Sequence, residues 1–115
     1  MNNFKNKHSF NKRKEESCEI LKKYPDRVPV IVQKHHSSDL PDTDKCKFLV
    51  PKDLTISQFH YIIRKRIDLL PSQTLFMMID NSLVSGATIL SCTYEDKKDP
   101  DGFLYVTYTN ENTFG

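Results

Sequence analysis

The chain has 115 residues, of which 37% are hydrophobic and 28% charged, with a net charge of +2. That length suits one domain with a single core, and the low apolar share assigns much of the chain to surface, loop or tail. Its longest apolar runs, such as Leu75-Phe76-Met77-Met78-Ile79, are far shorter than the roughly 20 residues of a membrane-spanning helix, and three scattered cysteines, Cys18, Cys46 and Cys92, make no disulfide framework.

Charge is uneven: residues 1–23 carry seven Lys/Arg against three Glu, and residues 93–112 carry two Lys against five Asp/Glu. A basic N-terminus can meet an acidic partner, an anionic membrane or nucleic acid, although a solvated helix face is the simpler reading. The start, Met1-Asn2-Asn3-Phe4-Lys5, has no apolar run of a secretory leader. A cytoplasmic chain with reduced thiols is therefore expected.

In chain order, the first predicted element is a helix over 11–23. Ser9 or Asn11 can cap it, and acidic residues precede basic ones as the helix dipole prefers. Its apolar stripe is thin: Ser17, Cys18, Leu21 and Tyr24, with Ile20 beside it. Pro25 closes the helix. Val28 to Val32 reads as a strand in which Pro29 demands an edge, a strand start or an N–H turned away from the ladder. A polar loop over 33–44 leads to a second strand, Cys46 to Val50, ended by Pro51. The clearest helix covers 56–67, with a Thr55/Gln58 capping box and Ile56, Phe59, Ile63 and Ile67 on one face. Leu75 to Ile79 reads as a buried strand, Asp80-Asn81-Ser82 as a turn, and Thr88 as the cap of a short helix reaching about Lys97. Asp99-Pro100-Asp101-Gly102 reads as a solvated turn before a last strand, Phe103 to Tyr108. The order matches an α+β, ubiquitin-like β-grasp with an N-terminal helical extension. The pattern also leaves open a ferredoxin-like sandwich.

Chemistry for catalysis is not evident. Gly86, Gly102 and Gly115 are too far apart to cradle a phosphate, no Cys or His pair has structural-zinc spacing, and adjacent His35 and His36 would point to opposite sides of an extended segment. Neither an enzyme, a cofactor nor a metal site is expected. Only Phe4, Phe10 and Tyr24 flank the N-terminal charges, so no nucleic-acid partner is expected either.

The segment from Lys23 to Val32, Lys45 to Pro51, Phe59 with Ile63-Arg64-Lys65-Arg66, and Gly102-Phe103-Leu104-Tyr105 occur in an order and spacing that closely resemble the autophagy ubiquitin-like modifiers. These are the GABA-receptor-associated-protein and microtubule-associated light chain 3 family. The resemblance runs from about residue 4 to residue 115 and implies three regions: a helical extension over 1–24, a β-grasp core over 25–109 and a flexible tail over 110–115. It implies that Gly115, which ends the chain and lacks a Cβ to hinder attack on its carboxylate, is conjugated to phosphatidylethanolamine by ubiquitin-style activating and conjugating enzymes. A cysteine protease would expose that glycine and later remove the lipid, and the lipidated chain would sit on the autophagosome membrane.

The resemblance also implies a groove that takes aromatic-x-x-aliphatic peptides of cargo receptors by strand addition. Its aromatic pocket would be Glu16, Ile20, Pro29, Lys47, Leu49 and Phe103. Its aliphatic pocket would be Phe48, Val50, Pro51, Leu54, Phe59 and Ile62, with Arg27, Lys45, Lys47 and Arg66 meeting acidic residues beside the peptide motif. Thr93 departs from the family pattern where a leucine often packs, and Met77-Met78 departs from it on the strand opposite the groove. The alternative is a non-conjugated ubiquitin-like adaptor whose basic helix binds an acidic surface such as tubulin in microtubules.

Overall fold

The computed structural model describes residues 3–110; Gly115 and the tail from residue 111 onward lie outside the described residues. Helices α1 (Phe4–Lys7) and α2 (Phe10–Lys23) precede strands β1 (Arg27–Lys34) and β2 (Lys47–Pro51) and helix α3 (Ile56–Arg66). Strands β3 (Phe76–Ile79) and β4 (Ser82–Leu83), helix α4 (Leu90–Lys97) and strand β5 (Leu104–Thr109) follow. The strands form one sheet in the order β2-β1-β5-β3-β4. β1 runs parallel to β5 and antiparallel to β2, while β3 is antiparallel to both β5 and β4. First and last strands lying side by side, with α3 packed on one face, make a ubiquitin-like β-grasp and not a ferredoxin-like sandwich.

Local chemistry accounts for most element ends. Ser9, not Asn11, caps α2 by accepting from the Lys12 N–H at 3.2 Å. Thr55 and Gln58 form the reciprocal capping box of α3, whose Ile56, Phe59 and Ile63, together with the C-cap Ile67, are buried in the main core. The start of α4 is different: its N-cap is Ile89, with no side-chain cap bond, and not Thr88. Here tertiary pairing overrides the cap signal, because the Thr88 carbonyl accepts from the Ile56 N–H and Ile89 bridges Thr55. Asp80 and Asn81 both have positive φ (54° and 60°), as a two-residue hairpin turn requires. Ser82 therefore opens β4 instead of closing the turn.

Pro29 sits in an inner strand without breaking the ladder. The Val32 N–H donates to the Cys46 carbonyl, so Val28, Val30 and Val32 face β2 and Pro29 faces the β5 side. Parallel pairing with β5 begins only at Val30, one residue later. His35 and His36 do not diverge as an extended segment would have them; the chain turns, Ser38 N–H donating to the His35 carbonyl, and the two rings stack at 4.2 Å.

α4 carries one unsatisfied group. Thr93 is buried, and its Oγ1 is the only buried side-chain polar atom without a hydrogen-bond partner among the described residues. Removing an unpaired buried hydroxyl while keeping its shape relieves a desolvation penalty. Thr93→Val is expected to stabilise the fold by about 1 kcal/mol, read as a higher urea midpoint at unchanged slope. A lower midpoint would contradict this account of Thr93.

Candidate functional site

β2 is an edge strand. Register with β1 turns the backbone groups of Phe48 and Val50 toward β1 and those of Lys47 and Leu49 outward. The side chains alternate as well: Phe48 and Val50 are buried in the main core, whereas Lys47, Leu49 and Pro51 are half-buried. An extended peptide laid beside β2 would thus find free backbone groups and a different surface on each face. One of these groups is already in use, because Arg27 Nη1 donates to the Leu49 carbonyl at 3.1 Å.

The six residues expected to form an aromatic pocket lie on the face that carries α2. Pro29 is the cross-strand partner of Leu49, and Ile31 of Lys47. Ile20 packs on the buried cluster of Phe4, Ile31 and Phe103. Glu16 and Lys47 form an ion pair that ties α2 to β2 at the rim. Phe103 and Pro29 are buried, while Ile20 and Leu49 are half-buried, so the first two can only be floor and the latter two walls.

On the other face, the set expected to form an aliphatic pocket is divided. Phe48, Val50 and Phe59 belong to the main core, with the Phe48 and Phe59 rings edge to face at 6.0 Å. Leu54 and Pro51 are half-buried, and Ile62 is 40% exposed on α3. Among these six, only Ile62, Leu54 and Pro51 offer substantial surface. Lys45 and Arg66 converge on the Phe48 ring, at 5.0 and 5.9 Å from its centroid. Arg66 also pairs with Asp44 at 3.0 Å, an exposed contact of little energetic weight. Arg27 lies at the far end of β2, opposite Pro51, so the three cations do not form one cluster.

Sequence reasoning missed what seats α2. The stripe of Cys18, Leu21 and Tyr24 is exposed; the helix instead turns Arg13, Glu16, Ser17 and Ile20 inward. Asp101 is fully buried and is not part of a solvated turn. Its carboxylate takes Arg13 Nη1 at 2.5 Å, the Tyr105 hydroxyl and the Phe103 N–H at 2.8 Å, and its carbonyl takes Ser17 Oγ at 2.5 Å. Burial, then the hydrogen bond to Asp101, push the Tyr105 phenol well above its ordinary pKa. Gly102 holds the turn at φ 93°, and a Cβ there would run into Ser17 Oγ. α1, absent from the residue-pattern reading, adds Phe4 edge to face on Phe103 at 5.3 Å and Lys5 on Asp99 at 2.6 Å. Phe4 is the one large apolar side chain between residues 2 and 9, a signal that could have marked it.

No group of three or more His, Cys, Asp or Glu side chains that could hold a metal occurs among the described residues. All three cysteines are free and exposed.

Comparison with known proteins places this geometry. The family model described as "Autophagy protein Atg8 ubiquitin like" matches residues 12–115. "Autophagy-related protein 8" of Mycosarcoma maydis is 55% identical over 112 residues, covering 97% of this chain and 95% of that protein. "Autophagy-related protein 8d" of Arabidopsis thaliana is 50% identical over 115 residues, covering all of this chain and 96% of its own. The crystal structure of Trypanosoma brucei ATG8 superposes with a TM-score of 0.91 at 37% identity, covering 100% of this chain and 99% of that one.

Proposed function

The chain belongs to the Atg8 family of ubiquitin-like autophagy proteins, and from that premise we propose that it is a conjugated modifier and membrane adaptor, not an enzyme. Ubiquitin-style activating and conjugating enzymes join Gly115 to phosphatidylethanolamine, and a cysteine protease exposes the glycine and later frees the chain. The protein passes from the cytoplasm to the autophagosome membrane as it is lipidated. There it docks aromatic-x-x-aliphatic peptides of cargo receptors. No helix among the described residues is long and apolar enough to cross a bilayer. In this reading the lipid is the anchor, two acyl chains sufficing at about 0.8 kcal/mol per buried CH₂ where one is marginal.

The observation that supports docking is the open edge of β2, with outward backbone groups at Lys47 and Leu49 and an apolar surface on each side of the strand. A peptide strand there would gain main-chain hydrogen bonds from the edge and place its aromatic side chain toward Ile20 and Leu49. Its aliphatic side chain would lie toward Leu54 and Ile62. To bond the Leu49 carbonyl, the peptide must share it with Arg27 or displace it. Arg27 released in this way is free to meet an acidic residue beside the motif.

Leu49→Ala combined with Ile62→Ala is the chosen test, because both side chains are accessible and their loss spares the core. Titration calorimetry is expected to show at least about tenfold weaker binding of an aromatic-x-x-aliphatic peptide, from a starting affinity near micromolar or −8 kcal/mol. Equal affinity in the double variant rejects this groove.

A further inference from the structure

Leu70 is 63% exposed, the most exposed large hydrophobic side chain among the described residues. A single exposed leucine means nothing by itself; its place in the fold gives it meaning. β3 is antiparallel to β5, with Phe76 opposite Thr109. Residues ahead of Phe76 therefore run on in the direction in which the chain leaves β5. The turn over 70–73, six to three residues before Phe76, lies at the pole where the C-terminal tail departs.

Both end residues of that turn have their backbone groups paired. The Leu70 N–H donates to Gln73 Oε1 at 2.9 Å, and the Leu70 carbonyl accepts from the Gln73 N–H at 3.0 Å and from Arg64 Nη2 at 2.9 Å. The Gln73 carbonyl accepts from Arg64 Nη1 at 2.7 Å, and Pro71 has no N–H to satisfy. A backbone paired in this way can approach an apolar phase without stranding those polar groups. Arg64 holds the turn from the last turn of α3.

We propose that the turn at Leu70 seats the lipidated protein on its own membrane, with the Leu70 side chain entering the interface of the bilayer that holds the lipid. This rests on the conjugation at Gly115 proposed above. Five residues, 111–115, separate Asn110 from the attachment point. Five residues reach at most about 18 Å, less than the shortest extent of the molecule, 27 Å. The bilayer is therefore held near the exit pole, and the tether gives the Leu70 contact a high effective concentration. Ile89, 44% exposed, bridges Thr55 at the N-terminal end of α3, whereas Arg64 ties the Leu70 turn to that helix's other end.

The chain contains no tryptophan, so Leu70→Trp and Ile89→Trp each introduce a single fluorophore. Chains spanning residues 1–115 with Cys18→Ser, Cys46→Ser, Cys92→Ser and Gly115→Cys would be coupled to maleimide-phosphatidylethanolamine in phosphatidylcholine vesicles with brominated acyl chains. Emission at position 70 is expected to fall at least about twofold relative to unbrominated vesicles, as for side chains at the headgroup–acyl boundary, with position 89 unaffected. Equal quenching at the two positions, or none at position 70, overturns the inference. The chemical tether makes this outcome independent of whether the cell's enzymes modify Gly115, which is decided separately by enzymatic lipidation of the chain carrying Gly115.

Discussion

Gly115→Ala, or deletion of Gly115, is expected to reduce phosphatidylethanolamine conjugation to background in a reconstituted activating and conjugating cascade, measured by mass spectrometry of the lipidated product. The alanine variant retains a terminal carboxylate and differs by one methyl group. It therefore isolates the physical argument, that a Cβ hinders passage of the chain end into a narrow active site and attack on its carbonyl. Deletion moves the carboxylate to Phe114, whose side chain is far larger. Peptide docking at β2 should be unchanged in both variants, because Gly115 is not among the residues assigned to the groove. Undiminished lipidation of the alanine variant would sink the conjugation reading, and loss of docking in it would show that the two activities are not separable.

A second large effect is expected at Asp101. Asp101→Ala leaves the Arg13 guanidinium, only 10% exposed, without its counter-ion and removes the acceptors of the Tyr105 hydroxyl and the Phe103 N–H. Breaking a buried pair from one side costs about 3–5 kcal/mol. That corresponds to a Tm lower by more than about 10 °C for a domain of this size. Asp101→Asn, which keeps an acceptor for the Phe103 N–H but loses the charge, should fall between the two. Replacing both Arg13 and Asp101 by leucine should cost less than the sum of the single losses, because neither partner is then left charged and alone. Thermal and denaturant unfolding of the wild type, the two Asp101 variants, the two single leucine variants and the double variant measure these losses; a loss below about 1 kcal/mol for Asp101→Ala would mean that the network does not hold α2. The groove depends on the same seat, since α2 carries Glu16 and Ile20. Peptide binding should therefore weaken in Asp101→Ala even at temperatures where the sheet remains folded.

The Asp101 network also explains why α2 faces inward on an unexpected side. Its few apolar residues suggest a stripe through Cys18, Leu21 and Tyr24, but apolar burial does not decide this helix. Arg13 and Ser17, one turn apart, engage Asp101 in the turn that precedes β5, and Ile20 follows them onto Phe103. The partners are separated by 88 and 84 residues, so no local pattern announces them. An aspartate in an Asp-Pro-Asp-Gly turn has the composition of a solvated loop. Only the closing of β5 against β1 brings it beneath α2.

Signals of short range were readable without the structure. The Thr55/Gln58 capping box, the Ile56-Phe59-Ile63-Ile67 face of α3, the short apolar runs of β1 and β2 and the turn at 99–102 each depend on residues a few positions apart. The family resemblance, carried by motifs in order, added the two residue sets around β2 and the expected role of Gly115. At two helix starts the structure chose between neighbouring residues: tertiary pairing put Ile89 in place of Thr88 at the start of α4, and a local cap bond to the Lys12 N–H put Ser9 in place of Asn11 at the start of α2.

The sequence by itself determined α2, α3, α4 and strands β1, β2, β3 and β5, but not α1 or β4, together with the absence of a spanning apolar run and the β-grasp family. These follow from periodicity, capping chemistry and motif order along the chain. The tertiary structure alone decided the parallel pairing of the first and last strands, the exposure of β2 as an edge, the division of its flanking residues between floor and surface, and the placement of Leu70 beside the tail's exit. Each depends on contacts between residues distant in the chain, where the free energy of burial is shared among many side chains and leaves no signature at any single position.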